Sequence, residues 1–276
     1  MEKYFNEKFL FGDDFSESQI FQWFNEEAEA YANLYGKHAN TNNHSYGYHN
    51  LNMLYGYRYL NRLKFNNVLG FGSSWGYEFL PIIDRVKKLT IIESSSQTVS
   101  KKIGKIVPVY KKPNVNGKID YPDNTFDLVT CFDTLHHIPN VSFVLNELFR
   151  ILCPNNKPNR GGGGYLLLRE PTISMGDWRT TRPGLTTNER GIPKDYLSKI
   201  IKDANMEIVQ KHYYSCATSF LKRNWKKLNS DSWMYLYFDK HISRLLSFNT
   251  HYHAVSKLQR IAPSSVFYVL RKPVSD

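Results

Sequence analysis

The sequence predicts an α/β fold in which a parallel sheet is covered by helices on both faces. From Asn67 onward, short apolar runs alternate with segments of helical periodicity, and this alternation is typical of parallel sheets. A glycine-rich turn, "GFGSSWG", follows the first of these runs, where a strand is expected to give way to a helix. The length of 276 residues and the hydrophobic content of 41% suit one large domain with additional segments.

Two helices are predicted ahead of the first strand. Within residues 16–62, apolar and aromatic side chains recur at helical spacing: Ile20, Trp23, Phe24, Ala28, Tyr31 and Leu34. A polar segment, "GKHANTNNHSYG", interrupts this pattern, and a second helix is expected over about residues 48–63. We therefore divide the chain into an N-terminal helical cap, residues 1–64, and a main domain, residues 65–276.

Seven apolar runs predict the strands of the main domain. In chain order they are "NVLGF", "KLTIIE", "KIVPVY", "FDLVTCF", "GYLLLRE", "MEIVQKHYY" and "SVFYVLRKP". A basic, aromatic and helix-compatible segment of about residues 215–263 separates the last two runs. Because a short hairpin would suffice to join these strands, this segment is predicted to be a helical insertion, and insertions on α/β domains often cover the ligand site.

Composition argues against several classes of protein. The formal net charge of +11 and the aromatic content of 15% would suit nucleic-acid binding, but the basic residues are scattered in short pairs that are typical of a solvated surface. No apolar run approaches the roughly 20 residues of a membrane-spanning helix. Three widely spaced cysteines, with no C-x-x-C pair, indicate neither a disulfide framework nor a zinc knuckle. We expect a cytoplasmic protein.

The glycine turn and a later carboxylate predict a nucleotide cofactor. Gly70, Gly72 and Gly76 allow the backbone to approach a ligand closely, because glycine has no Cβ atom and reaches positive φ without strain. Glu93 ends the second apolar run about twenty residues after Gly72, the spacing at which a carboxylate binds the ribose hydroxyls. This combination is compatible with a nicotinamide cofactor and with S-adenosylmethionine.

The segment "IDYPDNTFDLVTCFDTLHHIPNVSFVLNELFRIL", with "VLGFGSSWG" and "IIES", decides between them. It resembles the class I S-adenosylmethionine-dependent methyltransferases, in the methyltransferase-domain group of the type 11 family, over about residues 67–171. The resemblance implies a Rossmann-like, doubly wound sheet of seven strands and S-adenosylmethionine as cofactor. It also implies that the cofactor-binding residues are Leu69, Gly70, Phe71, Gly72, Gly76, Glu93, Ser94, Asn116, Asp133 and Thr134.

Three positions depart from the family pattern. The family usually has an acidic residue where Gly70 stands, and that acid helps to organise the methionine ammonium group. It usually has glycine where Ser74 stands. Its adenine-contacting acid has no match near residues 115–117, so Asn114 or Asn116 is expected to take that place.

The predicted catalytic residues follow the fourth and fifth strands, at the edge where ligands bind in such sheets: Asp133, His136, His137 and Glu170. Methyl transfer depends mainly on holding the acceptor at near-attack geometry, and it needs a base only when the acceptor is a hydroxyl group. Each residue also has an alternative role: packing of the helix start for both histidines, cofactor contact for Asp133, and an ion pair with Arg169 for Glu170.

No metal site is predicted, because His241, His251 and His253, or His44 and His49, lack an accompanying carboxylate or cysteine pattern. We expect O-methylation of a glycan, a nucleotide-sugar or another small polar acceptor, independent of metal, with the cap and the insertion enclosing the acceptor. The aromatic residues expected to contact it are Trp225, Trp233, Tyr235 and Tyr237. An RNA methyltransferase and a non-catalytic binding module with a degenerate methyltransferase fold are the alternatives.

Overall fold

A computed structural model describes residues 2–36, 46–154, 164–177, 180, 182, 184–216 and 230–274, with side chains in the first helix described up to residue 27. Its seven strands are β1 (Phe65–Phe71), β2 (Val86–Ile92), β3 (Val109–Lys111), β4 (Leu128–Phe132), β5 (Tyr165–Pro171), β6 (Glu207–Tyr214) and β7 (Ser265–Arg271). They form one sheet in the order β3-β2-β1-β4-β5-β7-β6. Strands β1 to β5 run parallel, and β7 lies antiparallel to both of its neighbours, β5 and β6.

Helices cover both faces of this sheet, as the sequence predicts. Within the described residues the α-helices are α1 (Glu17–Gly36), α2 (His49–Tyr55), α3 (Val141–Ile151), α4 (Lys194–Asp203) and α5 (Trp233–Leu245). One core cluster joins α3 and α4 to one face, and a second joins α2, α5 and the 3-10 helix Tyr77–Arg85 to the other. The central strands β4 and β5 are buried along their whole length, and most of their residues are apolar because helices cover both faces.

Three elements differ from the predicted ones for identifiable reasons. Strand β3 is only three residues long, because Pro108 cannot donate a hydrogen bond to a sheet. The helix predicted over residues 48–63 is split at Gly56, where a Cβ atom would lie 2.7 Å from the Phe267 ring. The helix after the glycine turn is a 3-10 helix that contains Pro81, a residue that disrupts α-helical hydrogen bonding.

The N-terminal residues divide into two parts. Residues of α2 share a core cluster with the sheet, and Asp231 of the insertion fixes the start of α2 by accepting hydrogen bonds from the Asn50 and Leu51 backbone N–H groups at 3.1 and 2.9 Å. Helix α1 instead lies near the carboxyl edge of the sheet, where Trp23 donates a hydrogen bond to the His137 carbonyl at 2.8 Å. The domain boundary at residue 64 stays a prediction.

Within the described residues, no helix combines the length and apolar character needed to cross a membrane. Cys131, Cys153 and Cys216 are all free thiols, in agreement with the sequence analysis.

Candidate functional site

A cavity of about 220 Å³ lies at the carboxyl edge of β1, β2 and β4. Its walls come from the glycine turn, the tip of β2, residues 111–121, the turn that follows β4, and helix α1. In open α/β sheets the carboxyl ends of the strands surround the ligand site, so the cavity lies where the sequence analysis expects a cofactor.

The glycine turn is held against the neighbouring strands. Gly72 has a φ of 68°, and a Cβ atom there would lie 2.3 Å from the Thr134 side chain, so only glycine fits. Ser74 also adopts a positive φ, of 48°. Its N–H donates to Glu93 Oε2 at 2.8 Å, and its carbonyl accepts a hydrogen bond from the Tyr110 hydroxyl at 3.0 Å. Serine is therefore accommodated where the family usually has glycine.

Glu93 lies at the tip of β2 and faces the cavity with an exposed fraction of only 9%. Its Oε1 accepts a hydrogen bond from the Ser95 N–H at 3.0 Å, which fixes the carboxylate. Two further hydroxyls on the cavity wall, Ser74 Oγ and Thr98 Oγ1, are buried without a hydrogen-bond partner. Buried polar groups are normally paired, so this wall offers one carboxylate and two unsatisfied hydroxyls to a polar ligand. Those groups suit a nucleoside cofactor.

A buried carboxylate lies close to the position where Gly70 departs from the family. A Cβ atom at Gly70 would lie 2.3 Å from Ser73 Oγ, so no acidic side chain fits there. Glu78 Oε1 accepts hydrogen bonds from that same Ser73 hydroxyl at 2.9 Å and from Thr130 at 2.5 Å, and Thr130 pairs with Gly70 across the sheet. Burial raises the pKa of Glu78 to about 7, against the lowering effect of the two hydroxyls. An acid of the 3-10 helix therefore lies buried behind the turn, and it does not line the cavity.

Asp133 borders the cavity immediately after β4. Its Oδ2 accepts a hydrogen bond from Arg169 Nη2 at 2.6 Å, and Arg169 Nη1 donates to Asn52 Oδ1 at 2.9 Å. The Arg169 guanidinium also lies 4.4 Å from the centroid of the Tyr48 ring. Arg169 is 3% exposed, whereas the Asp133 side chain is 38% exposed. The buried arginine therefore fixes a carboxylate that remains accessible.

Glu170 stabilises the backbone of the turn that follows Asp133. Its carboxylate accepts hydrogen bonds from the N–H groups of Thr134, Leu135 and His136 at 2.9, 2.7 and 3.3 Å, and it bonds His136 Nδ1 at 2.8 Å. Burial alone would lower the pKa of His136, but this carboxylate raises it. Neither residue lines the cavity, and the Glu170 side chain is fully buried. Their predicted catalytic roles are not supported by direct contact with the cavity.

His137 lines the cavity at the end remote from Glu93. Its Nδ1 lies 3.0 Å from Glu27 Oε2 of α1, and Glu27 Oε1 accepts a hydrogen bond from the Asn188 N–H at 3.1 Å. Burial, followed by the neighbouring His136, lowers the pKa of His137, so its imidazole is neutral near neutral pH. Trp23 and Phe24 of α1 line the same end, which combines aromatic surface with polar groups.

Phe71, Gly72, Glu93, Ser94, Asp133 and Thr134 are the predicted cofactor-binding residues that line the cavity. Leu69, Gly70 and Gly76 lie outside the lining; Gly76 begins the 3-10 helix with a φ of 69°. Of the two asparagines expected near the adenine, Asn114 lines this cavity, whereas Asn116 lies outside its lining and its Oδ1 accepts a hydrogen bond from the Lys118 N–H at 3.0 Å.

The cap is expected from the sequence to enclose the acceptor, but the residues of α1 that line the wall are not identified there, nor are residues 98 and 120. The apolar stripe that identifies α1 as a helix could have indicated a buried face, but no local signal shows which part of the domain that face covers.

The insertion lies apart from this cavity as far as it is described. None of residues 230–263 lines the wall, and α5 packs on α2 and β6 through Tyr235 and Leu236. Trp233 and Tyr237 are 45% and 47% exposed, so the expectation that they enclose the acceptor is not supported. Trp225 lies outside the described residues.

Comparisons with known proteins agree with this geometry. Residues 69–157 match the family model described as "Methyltransferase domain". No curated protein sequence matches the chain.

Three solved structures share the fold at low sequence identity. A proposed methyltransferase of Bacillus halodurans is 19% identical, with a TM-score of 0.51 over 79% of this chain and 97% of its own. An N-methyltransferase of Haemonchus contortus, bound to phosphomonomethylethanolamine and S-adenosylhomocysteine, is 15% identical, with a TM-score of 0.54 over 90% of this chain and 57% of its own. A SAM-dependent methyltransferase of Leishmania major is 9% identical, with a TM-score of 0.52 over 92% of this chain and 82% of its own. The predicted fold is thereby confirmed, and the predicted cofactor agrees with these matches.

Proposed function

Because the chain carries a methyltransferase domain with the class I fold, we propose that it transfers a methyl group from S-adenosylmethionine to an oxygen of a small polar acceptor, such as a glycan or a nucleotide-sugar. One observation carries the proposal: a single cavity extends from Glu93 and the glycine turn to Asp133 and His137. Glu93 and the glycine turn suit a nucleoside. Asp133 and His137 are titratable groups beside an aromatic wall.

The cofactor would be held by the chain's own turn and strand tips. Glu93 would accept hydrogen bonds from the ribose hydroxyls, while Phe71 and Gly72 would present backbone to the methionine end. Asn114 and Tyr121, which also line the cavity, would contact the adenine. When bound, S-adenosylmethionine supplies an electrophilic methyl group on its sulfonium sulfur.

The remaining residues orient the acceptor and accept its proton. Arg169 and Glu170 fix the backbone and the carboxylate around Asp133, which keeps the reacting groups at constant geometry. Asp133 and His137 are the predicted catalytic residues that border the cavity, and each can take the proton of a hydroxyl acceptor. Trp23 and Phe24 give the far end a surface on which a sugar ring can stack, and they exclude water.

Binding of the demethylated cofactor tests the cofactor half of the proposal. By calorimetry, S-adenosylhomocysteine is expected to bind wild type and to bind Glu93→Gln more weakly by on the order of 1.5–3 kcal/mol, because charge-assisted hydrogen bonds to the ribose are lost. Asp84→Asn is the matched control, since the Asp84 side chain is 88% exposed on a different surface. Equal affinities of wild type and Glu93→Gln would remove Glu93 from the site.

Transfer is tested separately with isotopically labelled S-adenosylmethionine. We expect label to appear in a panel of nucleotide-sugars and oligosaccharides and to remain absent from RNA. Cofactor binding without label in any acceptor class would favour the degenerate binding module. Label in RNA at physiological salt would overturn the choice of acceptor.

A further inference from the structure

A cluster of metal-ligating side chains lies beside the proposed acceptor end of the cavity. His136, His137 and Glu189 each offer one ligand atom, and these three atoms lie within 4.8 Å of one another. His136 and Glu189 are 53 residues apart in sequence, and the loop that follows β5 brings Glu189 back to the turn after β4. The histidine groups considered from the sequence alone are different ones.

Each of the two imidazole rings has a carboxylate beside its Nδ1 atom. His136 Nδ1 lies 2.8 Å from Glu170 Oε2, and His137 Nδ1 lies 3.0 Å from Glu27 Oε2. Metal-binding histidines typically donate one ring N–H to a carboxylate, which fixes the tautomer and directs the other nitrogen toward the ion. Both rings here have that carboxylate partner on Nδ1.

The spacing between the outer ligand atoms suits a shared ion. His136 Nε2 lies 3.7 Å from Glu189 Oε1, which is too long for a direct hydrogen bond. Two ligand atoms at roughly 2.1 Å from a tetrahedral zinc ion are separated by about 3.4 Å. Glu189 is itself fixed, because its Oε2 accepts a hydrogen bond from the Thr186 N–H at 3.1 Å.

Carboxylates surround the cluster. Glu27 and Glu170 bond the two imidazoles and Glu189 lies beside His136, while the guanidinium groups of Arg182 and Arg190 lie nearby. Arg190 is fully buried, and its guanidinium donates to backbone carbonyls, including those of Phe11, His136 and Ile138. Arg182 likewise donates to the carbonyls of Thr186 and Thr187, so both guanidinium groups are held by backbone carbonyls.

We propose that His136, His137 and Glu189 bind one divalent transition-metal ion of the zinc class. Because His137 also lines the cavity, the coordination position that these ligands leave open would face the cavity. Two imidazoles and one carboxylate form a ligand set known from catalytic zinc sites. The role assigned to the ion rests on the proposed function: it binds and orients an acceptor oxygen, and Asp133 remains as the proton acceptor. The inference replaces the sequence-based expectation of metal-independent transfer.

Metal binding is tested on the full chain without any acceptor or cofactor. After metal removal, calorimetric titration with Zn²⁺ should show one site per chain, and Glu189→Gln and His137→Ala should each weaken it at least tenfold. His251→Ala is the matched control, because His251 is exposed and lies outside the cluster, and it should bind as wild type does. Titration with Co²⁺ should give an absorption spectrum without a thiolate charge-transfer band, which excludes the three free cysteines as ligands.

The shift of the thermal unfolding midpoint on adding Zn²⁺ is a second measure of metal binding. It also applies to variants whose stability is altered. Saturating Zn²⁺ should raise the midpoint of wild type and of His251→Ala and leave that of Glu189→Gln unchanged. No Zn²⁺ binding by wild type, or equal binding by Glu189→Gln, would overturn the inference. S-adenosylhomocysteine binding is measured on wild type and on Glu189→Gln. Its absence from both would count against the proposed function alone, because Glu189 does not line the cavity.

Discussion

Replacing Glu170 with alanine is expected to lower the free energy of unfolding by about 3–5 kcal/mol. The Glu170 side chain is fully buried, and its carboxylate receives hydrogen bonds from three consecutive backbone N–H groups and from His136. Alanine would leave these donors buried without acceptors, and the turn that presents Asp133 and His137 would lose its support. Urea denaturation followed by circular dichroism measures the change.

Glu207→Ala is the control for this prediction. Glu207 also binds an arginine, Arg271, but its side chain is 46% exposed, so its loss is expected to cost at most about 1 kcal/mol. Equal stabilities of the two variants would show that Glu170 does not anchor the turn, and they would favour the direct catalytic role predicted from the sequence.

The second large effect concerns the buried acid Glu78 and the pH dependence of stability. Its pKa is raised to about 7 in the folded protein, from the ordinary value of 4.5 in the unfolded chain. Between these two values the folded state binds more protons, so stability falls as pH rises through this interval and stays low above pH 7. Glu78→Gln removes the titrating group, so wild type should lose about 2–3 kcal/mol relative to Glu78→Gln between about pH 5 and pH 8.

Chemical denaturation of wild type and Glu78→Gln at several pH values gives this difference directly. Other titrating groups are common to both proteins and cancel in the subtraction. Asp84→Asn, which changes an exposed acid, should give a profile parallel to that of wild type. A parallel profile for Glu78→Gln would mean that Glu78 is ionised throughout this interval. Groups other than the two hydroxyls would then have to stabilise its negative charge.

Much of the fold could be predicted because its signals are local. The strands β1, β2, β4 and β5 are short, mainly apolar runs, of which β4 and β5 are buried throughout, and a glycine at position 72 follows from the positive φ of a tight turn. Glu93 could be placed from its spacing after that turn. Each of these signals depends on a few neighbouring residues, so one sequence suffices to see it.

The rest of the site depends on contacts between distant segments. Glu27 meets His137 across 110 residues, and Glu170 meets His136 across 34. Nothing in the immediate sequence of Glu27 distinguishes it from other acidic residues on a helix surface. The contact between Glu78 and Thr130 is similarly hidden in the sequence, because it forms only when the 3-10 helix packs on β4.

The position of β7 has a consequence for synthesis of the protein. Among the described strands, β6 joins the sheet only through β7, which follows it in sequence and lies between β5 and β6. Until residues 265–271 have left the ribosome, the β5 edge is unpaired on that side and β6 has no partner. Open strand edges are prone to pair with other chains, so the nascent protein is expected to depend on chaperones until that strand emerges.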